Sequence, residues 1–271
     1  MYAAEQGYDH VRVRTPDSDI FWILLNHANK IRCNILFDSG HGNKKRLLNL
    51  TEIAKHYGDP MCSSMMALHV FTGCDFTSCF KGNGKVKALK ILLKSPGFRR
   101  LFHELGTSWN KAEDLLQEAE KFVCAMYGKP KVTSVDKLRF LLLKAKLGED
   151  VSLKPKQDID FSKMPPPAVC LLEHLKRVNY VVRIWRQATN AIIEIPKPYD
   201  NHGWTKEGEP LWCPPGKILP ASIVDLMEQE LDTPDEDVDD DEEWLANITT
   251  EEAYNSECDS SDDDSGSEYC S

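Results

Sequence analysis

Asp17 and Asp19 stand two residues apart, directly after the alternating run HVRVR (10–14) and before the apolar run IFWILL (20–25). If residues 10–14 form a strand, carboxylates at this spacing reach the same side of the carboxyl edge of a sheet, where α/β proteins place their ligands. Such close carboxylates repel each other. A hard divalent cation, Mg²⁺ or Mn²⁺, removes that cost and can then activate water against a phosphodiester. The same Asp-x-Asp also suits the N-cap of a helix over IFWILL, and taken alone the pair fits the cap better.

A second stretch, GCDFTSCFKGNGKVKAL (73–89), sets Asp75 among glycines and hydroxyls and continues into Lys81, Gly82, Gly84, Lys85 and Lys87 at the start of a helix. A Gly-x-Gly turn lets backbone N–H groups approach a phosphate without a Cβ in the way. The helix N-terminus and the lysines add positive potential. The alternative is a helical corner that needs glycine only for its shape. Other constellations are plain. His69, Cys74 and Cys79 fit no zinc spacing and read as core residues, and the glycines around His41 make a loop rather than a phosphate-binding fingerprint.

The elements that must position these residues follow from periodicity. HVRVR alternates as a strand, IFWILL continues as a helix, and IRCNILFD (31–38) reads as a second strand. GHGNKKR (40–46) reads as a loop and MCSSMMALHVFTG (61–73) as an apolar helix. VKALKILL (86–93) is an amphipathic helix stopped by Ser95-Pro96-Gly97. Together these predict an α/β layer over residues 1–105.

From Asn110 the pattern turns helical, with Asn110 and Ser134 as N-caps of helices that end near Gly128 and Gly148. Leu115, Leu116, Ala119, Phe122, Val123 and Met126 share one face and read as core. This helical extension covers 106–150. A further region, 151–224, begins with a polar linker to about residue 167 and holds a helix over 168–188. Ala168, Leu171, Leu172, Leu175, Val178, Val182 and Trp185 form that helix's apolar stripe, and Lys176, Arg177, Arg183 and Arg186 form a polar face expected to be solvated. The Pro-, Gly- and Trp-rich residues 190–220 read as an ordered loop packed by aromatics. Residues 225–271 read as a disordered acidic tail that cannot bury enough apolar surface to fold alone.

With both acidic stretches in this order, the sequence resembles the flap endonuclease and XPG group of PIN-like nucleases over about residues 10–95. RTPDSDIFWIL is similar to that group's second acidic strand, and LHVFTGCDFTSCFKGNGKVKALKIL to its later acidic strand end and DNA-clamping helix-turn-helix. The resemblance implies a Rossmann-like α/β fold, Asp17, Asp19 and Asp75 as ligands of Mg²⁺ or Mn²⁺, and a backbone clamp at Gly82-Asn83-Gly84-Lys85 that also takes a monovalent cation. The implied partner is DNA or RNA. TPDSD, HVFTGCDFTS, LLEHLKRVNYVVRIW and HGW together are also similar to a protein family abundant in invertebrate and fish genomes, with the look of mobile-element descent. The nuclease group carries further acids on an earlier strand and on a helix with paired glutamates. Only 16 residues precede Asp17, and Glu5 and Asp9 match neither motif. The expectation is therefore a partial, N-terminally truncated nuclease domain that binds nucleic acid and does not cut it as it stands. The alternative is a non-catalytic interaction protein.

Charge points the same way. The net charge is −10, but 20 of the 43 acids lie in 225–271, where there is no Lys or Arg, so 23 acids face 33 bases in 1–224. A basic body suits a polyanion, although lysine excess also serves solubility, and an acidic tail suits a basic protein partner. Nine cysteines without a Cys-x-x-Cys pair exclude a zinc ribbon and a disulfide framework. No apolar run is long enough to span a bilayer and no signal-peptide stretch opens the chain, so the expected setting is the nucleus or cytoplasm, with no membrane partner.

Overall fold

In the computed structural model, which describes residues 2–40, 42–147 and 160–213, the chain alternates between strand and helix only at its start. After a short helix α1 (Tyr2–Glu5), β1 (His10–Arg14) leads into α2 (Ser18–His27), and β2 (Asn34–Ser39) returns parallel to β1. Val11 and Val13 turn inward while His10, Arg12 and Arg14 face solvent, as the alternation predicts. A mixed α/β architecture results, with a three-stranded sheet in the order β1-β2-β3.

The third strand falls where the sequence reads as loop and beyond. β3 (Arg46–Asn49) pairs antiparallel with β2 after a single 3₁₀ turn at Gly42–Lys44. It runs directly into α3 (Leu50–Tyr57), because Asn49 Oδ1 accepts from Glu52 N at 3.2 Å and caps the helix. Asn-x-x-Glu is the spacing of a capping box, so the signal was present in the sequence. In the same way Ser95-Pro96-Gly97 ends α5 (Lys85–Lys94) and also starts α6 (Pro96–Glu104), with Ser95 as cap and proline in the first turn.

The centre of the protein is α4 (Asp59–Phe71). Every residue from Cys62 to Phe71 is buried, and the helix packs on α2, α3, α5, α6 and the late helix at Ala168–Arg186. A helix apolar on all sides has nowhere to go but the middle of a fold. Phe71, fully buried, meets the rings of Phe80, Phe102, Phe122 and His174 at centroid distances of 5.2–5.8 Å. Through these rings the α/β layer shares one core with α7 (Ala112–Met126), α8 (Val135–Leu147) and α9 (Ala168–Arg186). Leu115, Ala119, Phe122, Val123 and Met126 are buried on α7 as their spacing requires. The expected cap at Asn110 is replaced: Lys111 holds the N-cap position and supplies no side-chain acceptor.

The polar face of α9 departs most from its sequence reading. Leu171, Leu175, Val178, Val182 and Trp185 are buried as expected, but so is Arg177, 1% exposed. Arg177 donates to the carbonyls of Gly203 and Leu211 at 2.9 and 2.7 Å, Arg183 to Thr107 O at 3.1 Å and Arg186 to His103 O at 2.6 Å. Two segments distant in sequence, 103–111 and 196–213, wrap this face and satisfy its cations with backbone oxygens. The second is held by the rings of Tyr180, His202 and Trp204 and by a bridge between Trp204 and Pro210, which matches the aromatic-packed loop expected there. The acidic stretch 225–271 lies outside the described residues.

Candidate functional site

Asp17, Asp19 and Asp75 occupy three different environments. Asp17 sits just past β1 in extended conformation, is exposed, and its Oδ1 accepts from Asp19 N at 2.8 Å, making it the N-cap of α2. The capping alternative therefore holds for Asp17. Asp19, in the first turn of α2, is 8% exposed and its Oδ1 accepts from His69 Nε2 at 2.7 Å. Asp75 is exposed in the turn after α4, where Cys74 and Thr77 exchange backbone hydrogen bonds.

His69 is the residue that sequence reasoning placed in the core without a role. It lies near the end of α4, 3% exposed, between Trp22 and Trp185 at centroid distances of 5.5 and 6.2 Å. Burial lowers its pKa, against the hydrogen bond from Asp19 that raises it. A neutral ring that donates from Nε2 to a carboxylate carries its proton there, which leaves Nδ1, buried and without a hydrogen-bond partner, as an acceptor.

Lys85 links the two acidic stretches. It opens α5, and partial desolvation lowers its pKa while the charges of Asp19 and Asp75 push it back up. Asp38 was missed altogether. It is the penultimate residue of β2, beside Arg14, is 1% exposed, and accepts from Arg12 Nε at 2.9 Å, which holds its carboxyl below the usual range; its Oδ1 has no hydrogen-bond partner. A buried carboxylate at a strand's carboxyl end has no sequence signature apart from the apolar residues around it.

As a centre for Mg²⁺ or Mn²⁺ the arrangement does not fit. Asp17 is engaged as a cap and Asp19 as an acceptor, and among the described residues no three His, Cys, Asp or Glu side chains converge on one point that could hold a metal.

The turn after Asp75 is built differently. Gly82 has φ +79°, a backbone that favours glycine, and a Cβ there would meet nothing within 4 Å. Gly84 is the N-cap of α5 and offers no side chain to accept the first-turn amides, and Lys85 and Lys87 in that turn are both exposed. Lys87 donates to Asn83 Oδ1 at 3.0 Å, and burial lowers its pKa. Lys81 points elsewhere, to Asp160 Oδ2 at 3.2 Å and Ser162 Oγ at 2.7 Å, and so stands apart from the other residues of the turn. The structure brings Gly82, Gly84, Lys85 and Lys87 together at one helix start, next to Asp19 and Asp75.

No family model, no curated protein and no solved structure matches the chain. Among the described residues no helix is long and apolar enough to cross a membrane. What fold and site define is therefore a mixed α/β protein with an open, lysine-flanked helix N-terminus beside a histidine-held aspartate.

Proposed function

We propose that this protein binds the phosphate backbone of DNA or RNA at the start of α5, on a scaffold of PIN-like nuclease descent, without hydrolysing it. The observation that carries this reading is the uncapped N-terminus of α5, where Gly84 gives the first-turn amides no side-chain acceptor and Lys85 and Lys87 stand in the same turn. Free amides, a helix dipole and two cations are what a phosphate oxygen needs. The excess of bases over acids in residues 1–224 supports the same partner. The occupied carboxylates of Asp17 and Asp19 favour binding over cleavage.

The test is binding of the full chain to a fluorescent oligonucleotide over a range of salt. Affinity should fall steeply with salt, and Lys85→Glu and Lys87→Glu should each weaken it and reduce the salt slope by about one. Binding that ignores salt, or that both variants leave unchanged, overturns the reading. Mg²⁺ or Mn²⁺ should produce no cleavage beyond that of Asp19→Asn or Asp75→Asn controls. Metal-dependent cleavage lost in those controls would establish the enzyme instead, with the aspartates as ligands. Replacing K⁺ by a bulky monovalent cation tests whether the Gly82–Gly84 turn holds a small one.

A second reading rests on charge segregation. Twenty acids without a base in 225–271 suit a basic protein partner, or competition with nucleic acid for the basic body. Stronger oligonucleotide binding after removal of 225–271 would indicate competition.

A further inference from the structure

On the far side of the Lys81 turn lies a cavity of about 260 Å³ that none of the preceding residues explains. Its walls bring together Ser78–Lys81, the C-terminal end of α7, Arg139 from the first half of α8, residues 161–166, the face of α9 from Cys170 to Arg177, and Trp212. Three cations line it, Lys81, Arg139 and Arg177, and among the described residues no Asp or Glu does. Lys81 is paired with Asp160 at the rim. The two guanidiniums reach only carbonyl oxygens, Arg139 that of Pro165 and Arg177 those of Gly203 and Leu211. Arg177 also feels the buried carboxylate of Glu173, which raises its pKa against burial, whereas half-buried Arg139 reaches a carbonyl and, among the described residues, no carboxylate, so the wall keeps positive charge that suits an anion.

The rest of the wall is aromatic. Phe80 and Tyr127 form the floor, and burial pushes the Tyr127 hydroxyl up to about 12, so it stays a neutral donor. His174 is also neutral, pushed down to about 4 by burial. At the mouth stand Phe161 and Trp212, 61% and 58% exposed, two of the large apolar side chains that the fold leaves uncovered. The Arg177 guanidinium lies 5.4 Å from the Trp212 ring centroid. A flat ring laid over exposed aromatics at the lip of a cationic cavity would bury their faces and place its own charge beside the cations.

We infer that this cavity is a nucleotide site, in which a base stacks on Phe161 and Trp212 and its phosphate faces Arg139 and Lys81. The volume lies below the roughly 300–1,000 Å³ of sites that enclose a drug-sized ligand, and has room for one flat ring system. Stacking is tolerant of base identity and cationic grooves are tolerant of sequence, so the chemistry is that of a nucleotide without base preference. The nucleotide is either a free mononucleotide or one residue of a single strand whose backbone continues over the adjacent turn. The second source rests on the backbone reading proposed above.

The experiment titrates the full chain, followed by tryptophan fluorescence, with adenosine 5′-monophosphate, with adenosine and with inorganic phosphate. The monophosphate should saturate a signal change that Trp212→Phe reduces, and adenosine and phosphate should each bind at least about tenfold more weakly. Phe161→Ala, at an exposed position, should weaken the monophosphate about tenfold with no change in melting temperature, and Trp212→Ala should do the same. In a second arm, a short oligodeoxyadenylate is compared with the same strand carrying one abasic residue. A loss of about tenfold on base removal, absent in Phe161→Ala, assigns the site to a strand. Monophosphate binding with an unaffected strand assigns it to the free nucleotide. Strand binding that depends on Lys85 and Lys87, yet is indifferent to Phe161, Trp212 and the abasic residue, with no monophosphate binding, overturns the cavity site and leaves the backbone reading standing. Monophosphate binding sensitive to Phe161, with no salt-dependent strand binding, supports the cavity and removes the backbone reading.

Discussion

Asp19 Oδ1 lies 2.7 Å from His69 Nε2, joining the first turn of α2 to the end of α4 across 50 residues of sequence. This contact separates three aspartates that look alike in the sequence, and their stabilities should separate them too. Asp19→Ala strands a donor inside the core and should cost about 1–3 kcal/mol. Asp17→Ala loses a helix cap, about 1 kcal/mol. Asp75→Ala, exposed, should change stability by no more than about 0.5 kcal/mol. Urea unfolding of the three variants checks the order, and an Asp75 loss equal to that of Asp19 would contradict these environments.

Acid should destabilise the fold in a defined window. Burial lowers the pKa of His27, His69 and His202 and takes His174 from 6.5 to about 4. Between those values the unfolded chain takes up a proton at residue 174 that the folded chain refuses. Stability therefore falls as pH falls from about 6.5 to about 4, by roughly 3 kcal/mol for His174 alone, and that share is fully lost below. Asp38, held low by Arg12, is ionised in the fold below the pH at which it protonates in the unfolded chain, so its contribution is lost at still lower pH. Melting temperatures at pH 7, 5.5 and 4.5 test this, and His174→Gln should flatten the profile.

Gly203 and Gly208 isolate a steric effect from a conformational one. Both have positive φ, +86° and +88°. A Cβ at Gly203 would stand 2.5 Å from Glu173 O and 2.8 Å from Arg177 Cγ, whereas at Gly208 it meets nothing within 4 Å. Gly208→Ala should cost about 1 kcal/mol, from backbone strain alone. Gly203→Ala adds displacement of the segment from α9 and should cost about 2–4 kcal/mol. Equal losses in thermal unfolding would show that the segment yields freely.

Asn179 should prove the most sensitive polar position of α9. It is fully buried, accepts from Gly106 N at 2.8 Å, and donates to the carbonyls of Ser108 and Trp109 at 2.9 and 2.8 Å. Asn179→Ala leaves three backbone groups without partners and should cost about 3 kcal/mol or more. Asn179→Asp keeps the acceptor but not the donor, and should recover only part of that loss in chemical denaturation.

The sequence exposed what periodicity controls. HVRVR, IFWILL, MCSSMMALHVF and the stripe Leu171–Trp185 form the strand and helices their spacing implies, because burying one face or all faces of an element is a local pattern. β3 was hidden because four residues are too few to show a period, α3 because its cap Asn49 lies in a stretch, 47–60, where no element was legible, and α6 because its cap Ser95 reads only as the stop of the preceding helix. At the site, Gly82, Gly84, Lys85 and Lys87 were legible, since a turn and the helix start beside it are contiguous.

By itself, the sequence determined the basic body, the acidic stretch at 225–271, the central apolar helix and the glycine–lysine helix start. Only the tertiary structure decided the fate of each charged side chain. It buried Arg177 under residues 203–211, set His69 against Asp19, turned Lys81 away towards Asp160, and gathered Arg139, Phe161 and Trp212 around one cavity. The physical reason is that hydrophobic patterning acts within one element, whereas a buried charge or polar atom is stabilised by whichever distant partner the packing brings within hydrogen-bond reach. The opening pair shows both halves: Asp17 keeps the local role its spacing allows, and Asp19 takes one from a helix 50 residues away.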